Sequence, residues 1–278
     1  MGVLLSLIAA LVYGAADFLG GLATKRSAVW TVVVLTSLVG LVTALALVPL
    51  MSPGPPPTRD LEIGALIGLC SGTGFVAFYQ GLAVSRMSVV APITAVLAAS
   101  VPVIYGVLRG EHLSAWGFMG VALALAAVFL VSRASDEDVG GHPEPARSGW
   151  LYGMAAGLAF GVIYVLLAMT SRGVWPLVMS RCVNILLIGA FAFVTGRLSR
   201  PARATYWMIL VAGASDMIAN VTYLIALRYT LVAIAAVVTS LYPASTVLLA
   251  RMVLHERLGG VQWLGVACAL VGVALLSL

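Results

Sequence analysis

The stretch Ala226-Leu-Arg-Tyr-Thr-Leu-Val-Ala233 decides the fold, because it has a counterpart earlier in the chain, Ala83-Val-Ser-Arg-Met-Ser-Val-Val90. Both stretches leave one apolar run, pass through an arginine-bearing turn and enter another apolar run. With a two-residue gap, the similarity continues, and residues 256–259 align with residues 111–114. The end of the chain therefore repeats the internal segment 83–132, which predicts a protein built by duplication.

The composition is typical of a membrane protein, since 62 % of the residues are hydrophobic and 9 % are charged. Apolar runs of roughly 20 residues, each able to cross a hydrocarbon core about 30 Å thick, follow one another along the chain. They predict an all-α fold with ten transmembrane helices. The predicted helices cover residues 3–23, 28–50, 61–84, 88–108, 115–132, 149–170, 175–196, 205–227, 231–253 and 260–278.

One long polar connection, residues 133–148, divides the chain into two halves. We predict a first five-helix repeat over residues 1–132 and a second over residues 149–278. Because five is an odd number, the second repeat must enter the membrane from the opposite side. The repeats are then inverted about an axis in the membrane plane, an arrangement typical of secondary transporters with a substrate site near the midplane.

The residue types that carry catalysis or bind metals show no functional spacing. The three cysteines lie in apolar runs and the three histidines lie in loops or at run ends, which predicts neither a disulfide framework nor a metal site. We therefore expect no enzyme activity and no cofactor. The net charge of +5 indicates contact with anionic lipids and implies no nucleic-acid partner. A monomer in the bilayer is the simplest assembly.

Three charged residues lie inside predicted helices, where a charge near the helix centre costs about 2.5–3.5 kcal/mol. They are Asp17 in the first helix, Arg181 in the seventh and Asp216 in the eighth. At about 1.5 Å per residue, Asp17 and Arg181 lie too far apart in depth to pair, with Asp216 between them. We predict that Arg181 binds a substrate carboxylate and Asp216 an ammonium group, as for an amino acid. The alternative is a buried ion pair without a substrate role.

Polar and aromatic residues at a similar depth complete the predicted pocket, which suits a flat or apolar side chain beside a polar head group. Its further candidate binding residues are Tyr13, Phe78, Tyr79, Gln80, Tyr164, Asn184, Asn220 and Tyr223.

Prolines interrupt two predicted helices at corresponding places in the repeats. Pro92 and Pro102 lie in the fourth helix and Pro243 lies in the ninth, and each removes a backbone hydrogen bond. Interrupted helices in corresponding positions point to the substrate site of a transporter. The three prolines are therefore predicted hinges or gates.

Several motifs resemble the EamA family of the drug/metabolite transporter superfamily, over essentially the whole chain. They are Ala-x-x-Tyr-Gly-x-x-Asp-Phe in the first helix, Ala226-Leu-Arg-Tyr-Thr230, and Ser240-Leu-Tyr-Pro243 followed by His255-Glu-Arg-Leu258. The resemblance implies a ten-helix secondary transporter, frequently an exporter, in a bacterial inner membrane. Size and pocket composition are most similar to the aromatic amino-acid exporters, although the family also handles sugars, nucleotide precursors and cationic drugs.

Three functions are compatible with these features. Export of neutral amino acids uses Arg181 and Asp216, whereas proton-coupled efflux of lipophilic cations needs a carboxylate but no Arg181. A membrane scaffold without transport needs only paired charges and glycine stripes for helix packing. The glycines recur every four residues, as Gly64, Gly68 and Gly72 in the third helix and as Gly149, Gly153, Gly157 and Gly161 in the sixth. For a transporter, both proton coupling and facilitated diffusion are compatible with the sequence.

Basic residues predict the orientation in the membrane. The odd-numbered loops carry ten and the even-numbered loops carry four. The positive-inside rule then places the odd-numbered loops in the cytoplasm and both termini outside. The family resemblance implies cytoplasmic termini for many relatives, so the two indications differ.

Overall fold

The computed structural model describes residues 1–52, 54–84, 87–112, 114–133, 146–171, 173–246, 249 and 260–276, and this part of the chain is helical without strands. The helices of the first half are α1 (Gly2–Thr24), α2 (Val29–Met51), α3 (Thr58–Val84), α4 (Met87–Leu108) and α5 (Ala115–Arg133). Those of the second half are α6 (Ala146–Ala168), α7 (Trp175–Val194), α8 (Tyr206–Ala226), α9 (Val232–Thr239) and α10 (Gly260–Leu276). Most of the polar connection predicted between the halves lies outside the described residues.

Several helices have the length and apolarity needed to cross a membrane. Within the described residues, six meet this criterion: α1, α2, α3, α7, residues Gly149–Ala168 of α6, and Arg203–Ala226, which includes α8. Shorter apolar helices cover Ile93–Leu108, Ala115–Ala127 and Val232–Thr246. Large apolar side chains such as Val42 and Leu186, each 68 % exposed, point outwards as expected for contact with lipid. Multiple membrane crossings are thus confirmed, and the number ten stays a prediction.

Helices of the two halves pack against each other. Helix α1 packs on α8, α3 packs on α6 and α7, and α2 lies between α7 and α8. Glycines allow these close approaches: a Cβ atom on Gly64 would lie 2.6 Å from the Pro176 carbonyl oxygen, and one on Gly157 would lie 2.7 Å from that of Thr94. The glycine stripes on α3 and α6 therefore serve packing within the chain.

Hydrogen bonds join the halves at both ends of the bundle. At one end, the carboxylate of Asp60, in the first turn of α3, accepts hydrogen bonds from the Ser171 N–H (3.0 Å) and from the Ser171 hydroxyl. At the other end, the hydroxyls of Ser27 and Thr205 lie 3.0 Å apart. The first half thus contacts the second half at each end of the bundle.

The prolines have different effects on their helices. Helix α9 ends at Thr239 and the helix resumes over residues 242–246, because Pro243 has no N–H for the Thr239 carbonyl. Helix α4, in contrast, continues from Met87 to Leu108 through Pro92 and Pro102, so the predicted interruption of the fourth helix is wrong. The hinge or gate role of the three prolines stays a prediction. Membrane helices tolerate proline where neighbouring groups satisfy the freed carbonyl. Pro102 is buried, and the Pro92 side chain lies outside the described residues.

Candidate functional site

A cavity lies in the middle of the bundle, between α1, α3, α6, α7, α8 and the helical stretch 242–246. It contains about 570 Å³ of empty space, counted out to its opening. Its wall is formed by Tyr13, Asp17, Ile67, Ser71, Phe75, Phe160, Ile163, Tyr164, Leu177, Ser180, Arg181, Asp216, Asn220 and Tyr242.

The strongest electrostatic feature of the wall is an ion pair between Arg181 on α7 and Asp216 on α8. The guanidinium Nη2 donates a hydrogen bond to Oδ2 of the carboxylate, and both residues are buried, 5 % and 9 % exposed. Asn220, one turn further along α8, donates its Nδ2 to the Asp216 carbonyl oxygen (2.8 Å) and to Oδ2 (3.3 Å). Two side chains therefore hold the Asp216 carboxylate in place.

The Arg181 guanidinium lies between an aromatic ring and the backbone of a neighbouring helix. Its Cζ atom is 5.6 Å from the ring centroid of Phe75 on α3, which favours a cation–π interaction. On the side of α2, a Cβ atom on Gly40 would lie 3.2 Å from Nε, and within the described part of the chain this nitrogen has no hydrogen-bond partner. The absence of a side chain at Gly40 therefore leaves room for the guanidinium.

Asp17 on α1 lines the same cavity without such support. It is 8 % exposed, and among the described residues it makes no hydrogen bond and no ion pair. The cavity wall thus carries two carboxyl groups and one guanidinium. Because an isolated carboxylate is costly in a low-dielectric site, the part of the cavity around Asp17 favours the binding of a proton or a cationic group.

Aromatic rings cover much of the remaining wall. The Tyr164 ring packs edge-on against Tyr13, with centroids 6.4 Å apart, and the Phe75 ring packs edge-on against Phe160 at 5.2 Å. Such rings provide a large apolar surface that accommodates a flat or apolar group.

The structure brings part of the predicted binding set to the cavity wall. The residues on the wall are Tyr13, Asp17, Tyr164, Arg181, Asp216 and Asn220. Five other predicted residues lie away from it: Phe78 and Tyr79 next to each other on α3, Gln80 half-buried on α3, Tyr223 behind Tyr164, and Asn184 bonded to Ser71 (3.2 Å). A binding role stays a prediction for all eleven residues.

Sequence reasoning missed Tyr242 and several smaller wall residues. Tyr242 directly precedes Pro243, and proximity to an interrupting proline is the signal that could have identified it. Ile67, Ile163 and Leu177 carry no signal, because most positions in a membrane helix are apolar.

Comparisons with known proteins agree with this architecture. A sequence profile of the EamA-like transporter family matches residues 1–133 and 147–278. The crystal structure of another protein superposes with a TM-score of 0.73 at 19 % sequence identity, covering 97 % of this chain and 98 % of that one. At this identity the similarity shows a shared fold alone. No curated protein is similar enough in sequence to match.

Proposed function

The chain belongs to the EamA-like transporter family, and we propose that it exports neutral amino acids, including aromatic ones, across a bacterial inner membrane. The observation that carries the proposal is the Arg181–Asp216 ion pair on the wall of an aromatic cavity. Membrane transport of a small substrate follows from the family. The amino-acid substrate, the direction of transport and the membrane are the proposed parts.

Arg181 is the group that selects a carboxylate. A guanidinium has five N–H donors in a planar fork, so it can bind a substrate carboxylate while it keeps a contact with Asp216. Phe75 and Gly40 position the guanidinium from two sides. The substrate carboxylate therefore competes with Asp216 or shares the guanidinium with it.

The aromatic wall accounts for the proposed range of side chains. Phe75, Phe160 and Tyr164 offer apolar surface next to the charged groups. A phenylalanine or tryptophan side chain gains the most from this surface, because buried apolar area stabilises binding. Smaller neutral amino acids bind the same charged groups with less apolar contact.

The ion pair also suits the return of an empty carrier in alternating access. When no substrate is present, Asp216 neutralises Arg181, so the empty cavity contains no isolated guanidinium. An empty carrier can then change its orientation without exposing an unpaired arginine to a low-dielectric environment. This arrangement supports facilitated export down a concentration gradient, with proton coupling as the alternative.

A second candidate function is the efflux of lipophilic cations. The observation in its favour is Asp17, a carboxyl group without a partner among the described residues, in a cavity with aromatic walls. Aromatic faces and a carboxylate together attract organic cations. Efflux of cations does not require an N–H group of Arg181 that is free to bind the substrate.

Counterflow into proteoliposomes separates the two functions. Vesicles loaded with unlabelled solute receive labelled phenylalanine, tryptophan, threonine or a lipophilic cation, without a proton gradient. Uptake of the amino acids, above that of protein-free vesicles, supports the proposal. Uptake of the cation alone would reassign the protein to cation efflux, and uptake of none would remove the support for both substrates.

A further inference from the structure

Tyr242 has an unusual environment on the cavity wall. It begins the helical stretch 242–246, directly after the break in the ninth helix. Its side chain lines the cavity and is 3 % exposed, and its hydroxyl has no hydrogen-bond partner among the described residues. Buried hydroxyls nearly always have a partner, so an unpartnered one beside a cavity indicates a contact to a bound molecule.

Asp17 is the charged residue that goes with Tyr242. Both residues line the cavity. Asp216, in contrast, is already bound by Arg181 and Asn220. Of the two carboxyl groups on the wall, Asp17 is therefore the one without an ion pair or hydrogen bond among the described residues.

Helix α1 and the stretch 242–246 are held in a fixed register. The Ser245 hydroxyl is within hydrogen-bond distance of the Ala10 carbonyl on α1 (3.0 Å) and of the Tyr242 carbonyl (2.7 Å). The Thr246 hydroxyl is likewise shared between the Gly14 carbonyl on α1 (3.3 Å) and the Tyr242 carbonyl (3.1 Å). A Cβ atom on Gly14 would lie 2.6 Å from the Tyr242 carbonyl oxygen. These contacts hold the segment that carries Tyr242 against the helix that carries Asp17, as expected for a preorganised site.

We propose that Tyr242 and Asp17 together bind the ammonium group of the substrate. An ammonium group has three N–H donors, which the Asp17 carboxylate and the Tyr242 hydroxyl oxygen can accept side by side. Asp216 then stays with Arg181 and Asn220, in place of the ammonium contact predicted for it from the sequence. This inference rests on the proposed function in its amino-acid form, and it extends to any substrate with a primary ammonium group.

Two analogues of phenylalanine test the assignment in the counterflow assay. Phenethylamine lacks the carboxylate and 3-phenylpropionate lacks the ammonium group. Each analogue therefore competes with phenylalanine through only one of the two charged groups. In Tyr242→Phe and Asp17→Asn proteins, we expect inhibition by phenylalanine and phenethylamine to weaken about fivefold or more, as for loss of a hydrogen bond to a charged group. Inhibition by 3-phenylpropionate should not change.

Ser240→Ala is the matched control. Ser240 lies two residues before Tyr242 and is buried, and its hydroxyl also lacks a partner in the part of the chain that the structure describes, but it is not on the cavity wall. Its replacement should leave all three inhibition constants unchanged. Equal inhibition of the wild-type and Tyr242→Phe proteins by phenethylamine would overturn the inference.

A labelling experiment tests the position of Tyr242 without any assumption about the substrate. Cys70, Cys182 and Cys268 are replaced by serine, and Tyr242→Cys or Ser240→Cys is introduced. A small cationic methanethiosulfonate reagent should modify the cysteine at 242 faster than that at 240, and phenethylamine should slow the reaction. An unreactive cysteine at 242 would overturn the inference even if the protein transports amino acids.

The same variants test the ammonium site even if the proposed amino-acid export is wrong. If the wild-type protein exchanges only the lipophilic cation, amino-acid export is wrong, and phenethylamine is then tested as an inhibitor of cation exchange. Weaker inhibition in Tyr242→Phe, with Ser240→Ala unchanged, would support the ammonium site. Equal inhibition in all proteins would overturn it.

Discussion

Arg181 on α7 and Asp216 on α8 form an ion pair on the wall of the central cavity, and Asn220 donates a hydrogen bond to the same carboxylate. The pair links two helices with different main neighbours, since α7 packs on α3 and α8 packs on α1, while α2 contacts both. In the proposed function, a substrate carboxylate that binds Arg181 acts at this contact between α7 and α8. This position can link substrate binding to the relative movement of helices that alternating access requires.

Asp216→Asn should destabilise the protein, since it leaves the Arg181 guanidinium buried without a charged partner. Breaking a buried pair in this way costs about 3–5 kcal/mol. Thermal unfolding in detergent measures the effect as a lower Tm. The exchanged pair Arg181→Asp with Asp216→Arg should recover part of the Tm but not amino-acid exchange. A single variant as stable as the wild type would contradict the ion pair.

Gly14→Ala should disturb the contact between α1 and the stretch 242–246. The new methyl group would collide with the Ser245 hydroxyl and with the Tyr242 carbonyl, which is backbone and cannot move aside. We expect a lower Tm and loss of exchange activity. Gly189→Ala is the control, because the nearest atom to its Cβ position is 4.0 Å away. Equal behaviour of the two variants would contradict the close packing at Gly14.

Phe75→Leu should reduce the preference for aromatic substrates. The change removes an aromatic wall residue and the ring beside the Arg181 guanidinium, an interaction worth about 0.5–2 kcal/mol. The KM for phenylalanine should rise more than the KM for threonine in the counterflow assay. Phe193→Leu, on a side chain that is 77 % exposed, is the control. An equal change for both substrates would argue against a specific aromatic contact.

Ser199→Cys and Gly54→Cys, each in the cysteine-free protein, test the orientation. Ser199 is exposed in the loop before α8, and Gly54 lies in the loop between α2 and α3 at the other end of the bundle. The positive-inside rule predicts a cytoplasmic Ser199. An impermeant thiol reagent applied to intact cells should then modify the cysteine at 54 and spare that at 199. The reverse pattern would place both termini in the cytoplasm.

Sequence reasoning located the membrane helices and the buried charges, because charged residues are rare in apolar runs. It gave a buried ion pair only as the alternative and did not identify Arg181 and Asp216 as its partners, since the depth of a residue in the membrane does not tell which way its side chain points. Phe78 and Tyr79 follow Phe75 by about one helical turn, yet only Phe75 lies on the wall. The extent of the cavity along the helix depends on packing between helices, and no local pattern encodes it.

The prolines show the same limit. Pro243 coincides with a helix break, whereas α4 continues through Pro92 and Pro102. Each of the three prolines removes one backbone hydrogen bond. The structure around the proline therefore decides whether the helix ends there. The break in the ninth helix also brings Tyr242 to the cavity wall, which the sequence alone did not predict.

The most direct test of amino-acid transport compares the wild-type, Arg181→Lys and Arg181→Ala proteins in counterflow of labelled phenylalanine and a lipophilic cation. Lysine keeps the positive charge beside Asp216 but loses the planar fork of donors. We expect phenylalanine exchange to fall at least roughly tenfold in the alanine variant, or about 1.4 kcal/mol, and to be intermediate in Arg181→Lys. Phenylalanine exchange that is unchanged in folded Arg181→Ala protein, or exchange of the cation alone, would contradict the proposed function.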